Sequence, residues 1–308
     1  MNVPRNFNGV IAPVLTPFGD DGAPDPDRFI EHAEWLMEDG CTALAPFGTT
    51  SEANSIGLDE RMELLEELVD SGMDPSKLMP GTGACSVADA AMLTQHAVDL
   101  GCGGVLMLPP FYYKNPSEEG LFRFFADVID EVGDDRLRVY LYHIPPVAQV
   151  GFSLSLIERL KNEFPGVVVG LKDSSGDWSN MKAILDAFPD FELFPGSELF
   201  LLDGLRNGAA GVISATANIS ARAMRQLYDN WRGPNADAMQ EKISALRKTV
   251  QSFPVIPTLK ALIAHYRQDE GWAEVLPPFT PLPAEEAQRA IKILADQHNF
   301  RLDFAEAA

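Results

Sequence analysis

The sequence predicts a (β/α)8 barrel carrying a C-terminal helical extension, and three observations predict it. Short apolar runs alternate with helix-patterned segments over residues 9–232, the signature of βα units on a parallel sheet. Eight such units in about 230 residues match the size of a (β/α)8 barrel. After Trp231-Arg232-Gly233-Pro234 the strands stop while helical patterning continues. A doubly wound sheet would favour a glycine fingerprint after its first strand. Here Leu15-Thr16-Pro17-Phe18-Gly19 follows that strand, and no GxGxxG occurs.

Taken in order, the expected strands are 9–15, 41–46, 78–82, 103–108, 137–142, 167–171, 191–195 and 210–214. Each is a short apolar run bounded by turn residues, as strands buried on both faces require. The expected helices lie near 25–38, 58–71, 86–99, 117–132, 153–163, 177–187, 198–206 and 220–232. Ser86, Ser117 and Ser153 stand where N-caps belong, and Gly40 and Gly101 where helices stop. Residues 1–232 therefore form the expected barrel domain and 233–308 a three-helix extension. Its helices are 234–252, 256–268 and 283–298, separated by Pro254, Pro257, Pro277-Pro278 and Pro281-Leu282-Pro283. The tail 299–308 is expected to fray.

Composition bounds the function. Of 308 residues, 46% are hydrophobic and 22% charged, an ordinary globular balance. The net charge of −21, from 24 basic and 45 acidic residues, repels nucleic acid and anionic membrane. Cys41, Cys85 and Cys102 are odd in number and lack CxxC spacing, so a reducing, cytoplasmic setting is expected rather than a disulfide framework. The opening MNVPRNFNGVIAPVLTPF has no basic segment followed by an apolar one, so no signal peptide is expected. No apolar run approaches about 18 residues, which excludes a spanning helix. Histidines 32, 96, 143, 265 and 298 are scattered without metal-ligand spacing, and no metal is expected.

Chemistry in a barrel collects at the C-terminal ends of the strands. The run Val167-Val168-Val169-Gly170-Leu171 leads straight into Lys172. An apolar strand behind that amine and loops around it disfavour its charged form, leaving a nucleophile for a carbonyl; the plainer alternative is a lysine that snorkels to water. The second strand ends in Phe47-Gly48-Thr49-Thr50-Ser51-Glu52, whose backbone N–H groups and hydroxyls can hold a carboxylate. Its plainer use is a helix cap by Thr50 or Ser51. Tyr142, at the end of the fifth strand, can shuttle protons near a Schiff-base lysine. Tyr112 and Tyr113 follow the fourth strand, where loop packing is the commoner use. A lysine, a tyrosine and a Gly-Thr-Thr loop at one end of one barrel favour a joint role.

These motifs resemble the dihydrodipicolinate synthase/N-acetylneuraminate lyase family of class I, Schiff-base aldolases. The resemblance rests on GTTSE at 48–52, PFYYKNPSEEG at 110–120, YHIP at 142–145 and GLKDSSGD at 170–177, and runs from Gly9 to about Pro283. It implies that Lys172 forms an imine with C2 of pyruvate or another 2-oxo acid, and that Tyr142 relays protons. It implies that Thr49 links that tyrosine to Tyr113, which in the family reaches into a neighbouring subunit's site. Gly48, Thr49 and Thr50 correspond to the loop that holds the pyruvate carboxylate. The partner is then an aldehyde, no cofactor beyond the covalent imine is needed, and a homo-oligomer (dimer or tetramer) is expected. Dihydrodipicolinate synthases carry an arginine shortly after the YNVP-type turn for the carboxylate of aspartate semialdehyde. Here Val147 and Gln149 stand near that place, and a neutral group does not replace a guanidinium. That argues against a true 4-hydroxy-tetrahydrodipicolinate synthase, which remains the alternative enzyme. Gly196, Ser197 and Glu198 match the loop that holds a sugar's polyol in the lyases, although Ser197 stands where those often have Asp. His143, where Asn is common, is a candidate for a substrate hydroxyl. The alternative of another class is a non-catalytic 2-oxo acid sensor, which would not need both nucleophile and proton relay.

Overall fold

The computed structural model describes residues 7–304, and it is a closed (β/α)8 barrel with C-terminal helices packed on it. Seven strands are β1 (Gly9–Ala12), β2 (Ala43–Leu44), β3 (Val105–Met107), β4 (Val139–His143), β5 (Val168–Asp173), β6 (Glu192–Pro195) and β7 (Gly211–Ile213). All their pairings are parallel, in the orders β2-β1-β7 and β3-β4-β5-β6. The expected strand 78–82 is present only as bridges from Leu78 to Leu44 and from Gly81 to Leu106, and it closes the gap between β2 and β3. The Ala210 N–H donates to the Leu193 carbonyl at 2.9 Å and joins β7 to β6, completing the ring of eight staves.

Side-chain alternation divides the barrel into two cores. Val139 and Leu141 point outward into the layer between strands and helices, with Phe125 and Ile157. Tyr140 and Tyr142 point inward with Ile11, Met79, Leu106 and Phe194. A register shift between Val139 and Tyr140 sets Tyr140 beside Gly170 and Tyr142 beside Lys172. Gly170 has no alternative here: a Cβ would sit 2.5 Å from the Tyr140 ring. At the opposite end, the buried Glu192 carboxylate accepts from the Tyr140 hydroxyl (2.6 Å) and from the Phe7 N–H (3.2 Å).

Helix limits follow their caps. The hydroxyls of Ser86, Ser117 and Ser153 each accept from the N–H three residues on, at 3.1 Å, each worth about 1 kcal/mol. Gly40 (φ +114) and Gly101 (φ +80) end their helices in the left-handed region. The extension contains the helices Ala236–Val250, Val255–Arg267 and Ala284–His298. Its Leu259, Ile263 and Trp272 pack with Leu15 and Ile219 of the barrel.

The structure corrects several sequence expectations. The expected helix 198–206 is split into a 3-10 turn Glu198–Phe200 and a short helix Leu201–Arg206. The expected helix 220–232 begins at Ala217, with a kink at Ser220. A four-residue helix, Pro145–Ala148, was not expected. The tail does not fray over 299–304. Phe300 and Leu302 are buried, the Tyr266 hydroxyl and the Trp35 indole N–H donate to the Phe300 and Asp303 carbonyls, and Phe304 packs on Trp35. Residues 1–6, part of the stretch read for a signal peptide, and 305–308 of the tail lie outside the described residues.

Candidate active site

Register builds the centre of the site. Outward-facing Leu171 forces Lys172 into the barrel, and the β4–β5 pairing sets it directly beside Tyr142. Lys172 is 3% exposed. Its Nζ donates to Tyr142 Oη at 3.3 Å and lies 4.3 Å from the centre of that ring. Tyr142 Oη is in turn 3.2 Å from Thr49 Oγ1. An amine, a phenol and a hydroxyl thus form one hydrogen-bonded line, held by a phenol at its nucleophilic end rather than by a carboxylate.

The loop bearing Thr49 is fixed on several sides. Phe47 and Glu52 both take φ +59, turning the chain sharply on either side of Gly48-Thr49-Thr50-Ser51. The Gly48 N–H donates to Ser51 Oγ at 3.2 Å, and Thr16 Oγ1 donates to the Ser51 carbonyl at 2.9 Å. Ser51 therefore closes its own loop rather than capping a helix; the 3-10 turn Ala53–Ser55 that follows has no side-chain cap, and the next α-helix starts at Leu58 behind Gly57. Glu52 ties the loop to the extension. Its carboxylate pairs with Lys260 Nζ at 2.6 Å, with both side chains fully buried, and accepts from the Leu276 N–H at 2.8 Å. The N–H groups of Thr49 and Thr50 make no hydrogen bond among the described residues, so both are available to an anion.

A cavity of about 340 Å³ opens over this line at the C-terminal ends of the strands. Thr49, Thr50, Tyr142, Lys172, Gly196 and Ser197, all singled out in the sequence, line it together. Four other candidates lie elsewhere. Gly48 sits behind the loop, with its N–H on Ser51. His143 follows inward-facing Tyr142 and so points outward. Its Nδ1 accepts from the Phe152 N–H at 3.0 Å, and its ring lies against Gly151. Burial pushes its pKa down, with Asp173 opposing. It does not line the cavity, although its register partner Asp173 does. Glu198 is fully buried, and its carboxylate oxygens accept from the hydroxyls of Ser214 and Thr216. It holds the loop after β6 and does not face the cavity. Tyr113 is 78% exposed and packs edge-on against Tyr112, away from the cavity of its own chain.

Sequence reading missed a second group. Asp173 follows Lys172, and its carboxylate accepts from the Ser175 N–H (2.8 Å) and from Asn180 Nδ2 (2.7 Å), shaping the wall formed by Ser174 and Ser175. Arg247 and Gln251 reach the same cavity from the helix Ala236–Val250 and the residue just past its end. Their one sequence signal is a polar stripe, Gln240, Ser244, Arg247 and Gln251, at helical spacing along one face.

The dihydrodipicolinate synthetase family model matches residues 6–297. An uncharacterized DapA-like lyase of Chloroflexus aurantiacus is 33% identical over 286 residues, covering 90% of this chain and 93% of that protein. A solved dihydrodipicolinate synthase from Agrobacterium tumefaciens superposes with a TM-score of 0.87 at 34% identity, covering 93% of this chain and 98% of that one. YagE, an Escherichia coli prophage protein of the dihydrodipicolinic acid synthase family solved in complex with pyruvate, gives 0.87 at 25% identity over 96% and 99%.

Proposed function

Because the chain belongs to the dihydrodipicolinate synthetase family, we propose that its chemistry runs through Lys172 as Schiff-base nucleophile, Tyr142 as proton relay and Thr49 as the hydroxyl that positions it. The class itself comes with the family: the chain is a class I, pyruvate-dependent aldolase or lyase, making or cleaving a C–C bond between pyruvate and an aldehyde. The observation that carries the residue assignment is the line Lys172 Nζ–Tyr142 Oη–Thr49 Oγ1, at 3.3 and 3.2 Å, at the floor of the strand-end cavity.

In the synthetic direction the Lys172 amine adds to C2 of pyruvate. The carbinolamine loses water after Tyr142 delivers a proton to its oxygen, giving an iminium. That iminium is an electron sink: C3 gives up a proton to the Tyr142 oxygen, which lost its own in the preceding step, and the C2–C3 pair becomes an enamine. The enamine carbon bonds to the aldehyde carbon, and the aldehyde oxygen takes a proton back through the Tyr142 hydroxyl, within reach for general acid–base work. Water then hydrolyses the iminium, restoring the amine and releasing a 2-oxo acid; cleavage is the reverse. The free N–H groups of Thr49 and Thr50 hold the pyruvate carboxylate and orient C2 toward Nζ. The exposed Tyr113 is read as completing the site of a neighbouring subunit, which makes the active form a homo-oligomer. Among the described residues no helix is long and apolar enough to cross a membrane, and a cytoplasmic location fits a chain with three free cysteines.

Borohydride reduction in the presence of pyruvate tests the assignment. One reduced pyruvate adduct per chain, mapped to the peptide holding Lys172 and absent in Lys172→Ala, is the expected result. An adduct on another lysine, or full turnover by Lys172→Ala, overturns it.

A further inference from the structure

Arg247 is the one guanidinium among the described residues that lines the cavity, and nothing in the mechanism above uses it. Its Nη1 is buried and has no hydrogen-bond partner among the described residues. Its sole hydrogen bond is a long one, from Nε to Gln251 Oε1 at 3.4 Å, and no carboxylate pairs with it among the described residues. Arg28, Arg136, Arg159, Arg206, Arg222, Arg225 and Arg267 each find a carboxylate, and the buried Arg61 donates to the Gly81 carbonyl, in a chain where acidic residues outnumber basic ones 45 to 24. The cavity's own carboxylate, Asp173, is taken by Ser175 and Asn180. A buried guanidinium nitrogen left without an acceptor is costly, and an anion placed against it supplies that acceptor.

Its placement is built rather than incidental. Gln240, two helical turns earlier on the same face, donates to the Glu198 carbonyl at 2.8 Å and accepts from the Leu202 N–H at 2.9 Å. Those bonds clamp the helix Ala236–Val250 onto the loop after β6, so Arg247 hangs over the strand ends. The Gly-Thr-Thr loop follows β2, three staves from β6 around the ring. The two anion-binding features therefore stand on different sides of the cavity.

We propose that Arg247 binds an anionic group at the far end of the aldehyde partner, so that the enzyme selects aldehydes carrying a carboxylate or a phosphate over neutral ones. This rests on the reading of Lys172 and the Thr49–Thr50 loop as the pyruvate site, and it restores a guanidinium that the segment after Tyr142 lacks. The test begins with enzyme capped by borohydride reduction with pyruvate, which fills the pyruvate site. Failure to form that adduct counts against the Schiff-base assignment alone, and the titration then proceeds on unmodified protein. Succinate and inorganic phosphate are titrated calorimetrically into wild type, Arg247→Gln and Arg247→Lys. The expected result is one anion bound per chain, weakened about 10- to 100-fold by Arg247→Gln and less by Arg247→Lys, which keeps the charge but not the fork. Tighter binding of succinate assigns a carboxylate and tighter binding of phosphate a phosphoryl group. Binding of neither anion by wild type, or equal binding by Arg247→Gln, overturns the proposal. In turnover, the kcat/KM ratio of glyceraldehyde 3-phosphate or aspartate semialdehyde to glyceraldehyde falls in Arg247→Gln, mainly through KM.

Discussion

Lys260→Met should loosen the loop that carries Thr49 and Thr50, although residue 260 lies far from the cavity in sequence. Lys260 and Glu52 form an ion pair of 2.6 Å with both side chains fully buried. The Lys260 ammonium also donates to the Glu274 carbonyl at 2.6 Å and lies 4.1 Å from the centre of the Phe18 ring. Methionine fills most of the stem volume, so the cost is electrostatic rather than a void. Removing one partner of a buried pair strands the other charge, at about 3–5 kcal/mol. At about 2 °C per kcal/mol for a chain of this size, that is a fall in Tm of roughly 6–10 °C. Glu52→Gln should cost less, because burial already lowers the Lys260 pKa to about 8, and an unpaired Lys260 can shed its proton near neutral pH. The double variant, Glu52→Gln with Lys260→Met, should recover part of the loss. Melts followed by circular dichroism measure the stability, and pyruvate dependence of borohydride trapping measures the loop. The single variant should need several-fold more pyruvate for half-maximal trapping. A Lys260→Met protein that melts within about a degree of wild type, or a double variant no more stable than it, would refute the reasoning.

Two further outcomes follow from the same structure. Tyr142→Phe removes the hydroxyl between Lys172 and Thr49. It should lower kcat about 10²- to 10⁴-fold with roughly 1 kcal/mol of stability lost; steady-state kinetics showing less than a threefold change would sink the relay. His32 is fully buried, its pKa pushed down to about 3 chiefly by desolvation. Its Nε2–H faces Asn218 Oδ1 at 3.1 Å and its Nδ1 has no partner among the described residues. The folded value lies below the unfolded one, so this stability is full above about pH 6.5 and is lost as pH falls toward 3, by about 2 kcal/mol at pH 5. Urea midpoints between pH 8 and 5 should show that slope, and His32→Gln should flatten it.

What the sequence made legible was whatever interrupts a strong pattern. Lys172 ends an apolar run, Tyr142 ends another, and Gly48-Thr49-Thr50 breaks a third, so each stood out against its strand. His143 shows where such reading stops. It adjoins Tyr142 in sequence, but its ring is taken up by the Phe152 N–H and lies against Gly151, contacts with the following loop that no sequence pattern displays. Glu198 is kept out of the cavity lining by its neighbours. A carboxylate in a strand-end loop is a fair candidate for substrate, but the hydroxyls of Ser214 and Thr216, from the next stave, claim it. The stave 78–82 was legible as an apolar run, although it pairs only through Leu78 and Gly81. Arg247 was not legible because an arginine on an amphipathic helix looks the same whether it faces water or a cavity. The face is set by Gln240 bonding to Glu198 and Leu202, a contact across some 40 residues of chain.

The two sets of residues are held by different kinds of constraint. Lys172 and Tyr142 are neighbours through parallel register, and a slip of one residue in either strand would turn one of them out of the barrel. Gly170, against the Tyr140 ring, and the shift at Val139 guard that register one layer below. The proposed chemical centre is therefore tied to the packing of the barrel interior, where substitutions are felt throughout. Arg247 is tied only to a helix face outside the ring. Replacing it alters what meets the cavity mouth without moving a stave. A fold arranged this way can keep one imine chemistry while the group above it changes, and in this chain the group is a guanidinium without a carboxylate, which favours an anion in the position it faces.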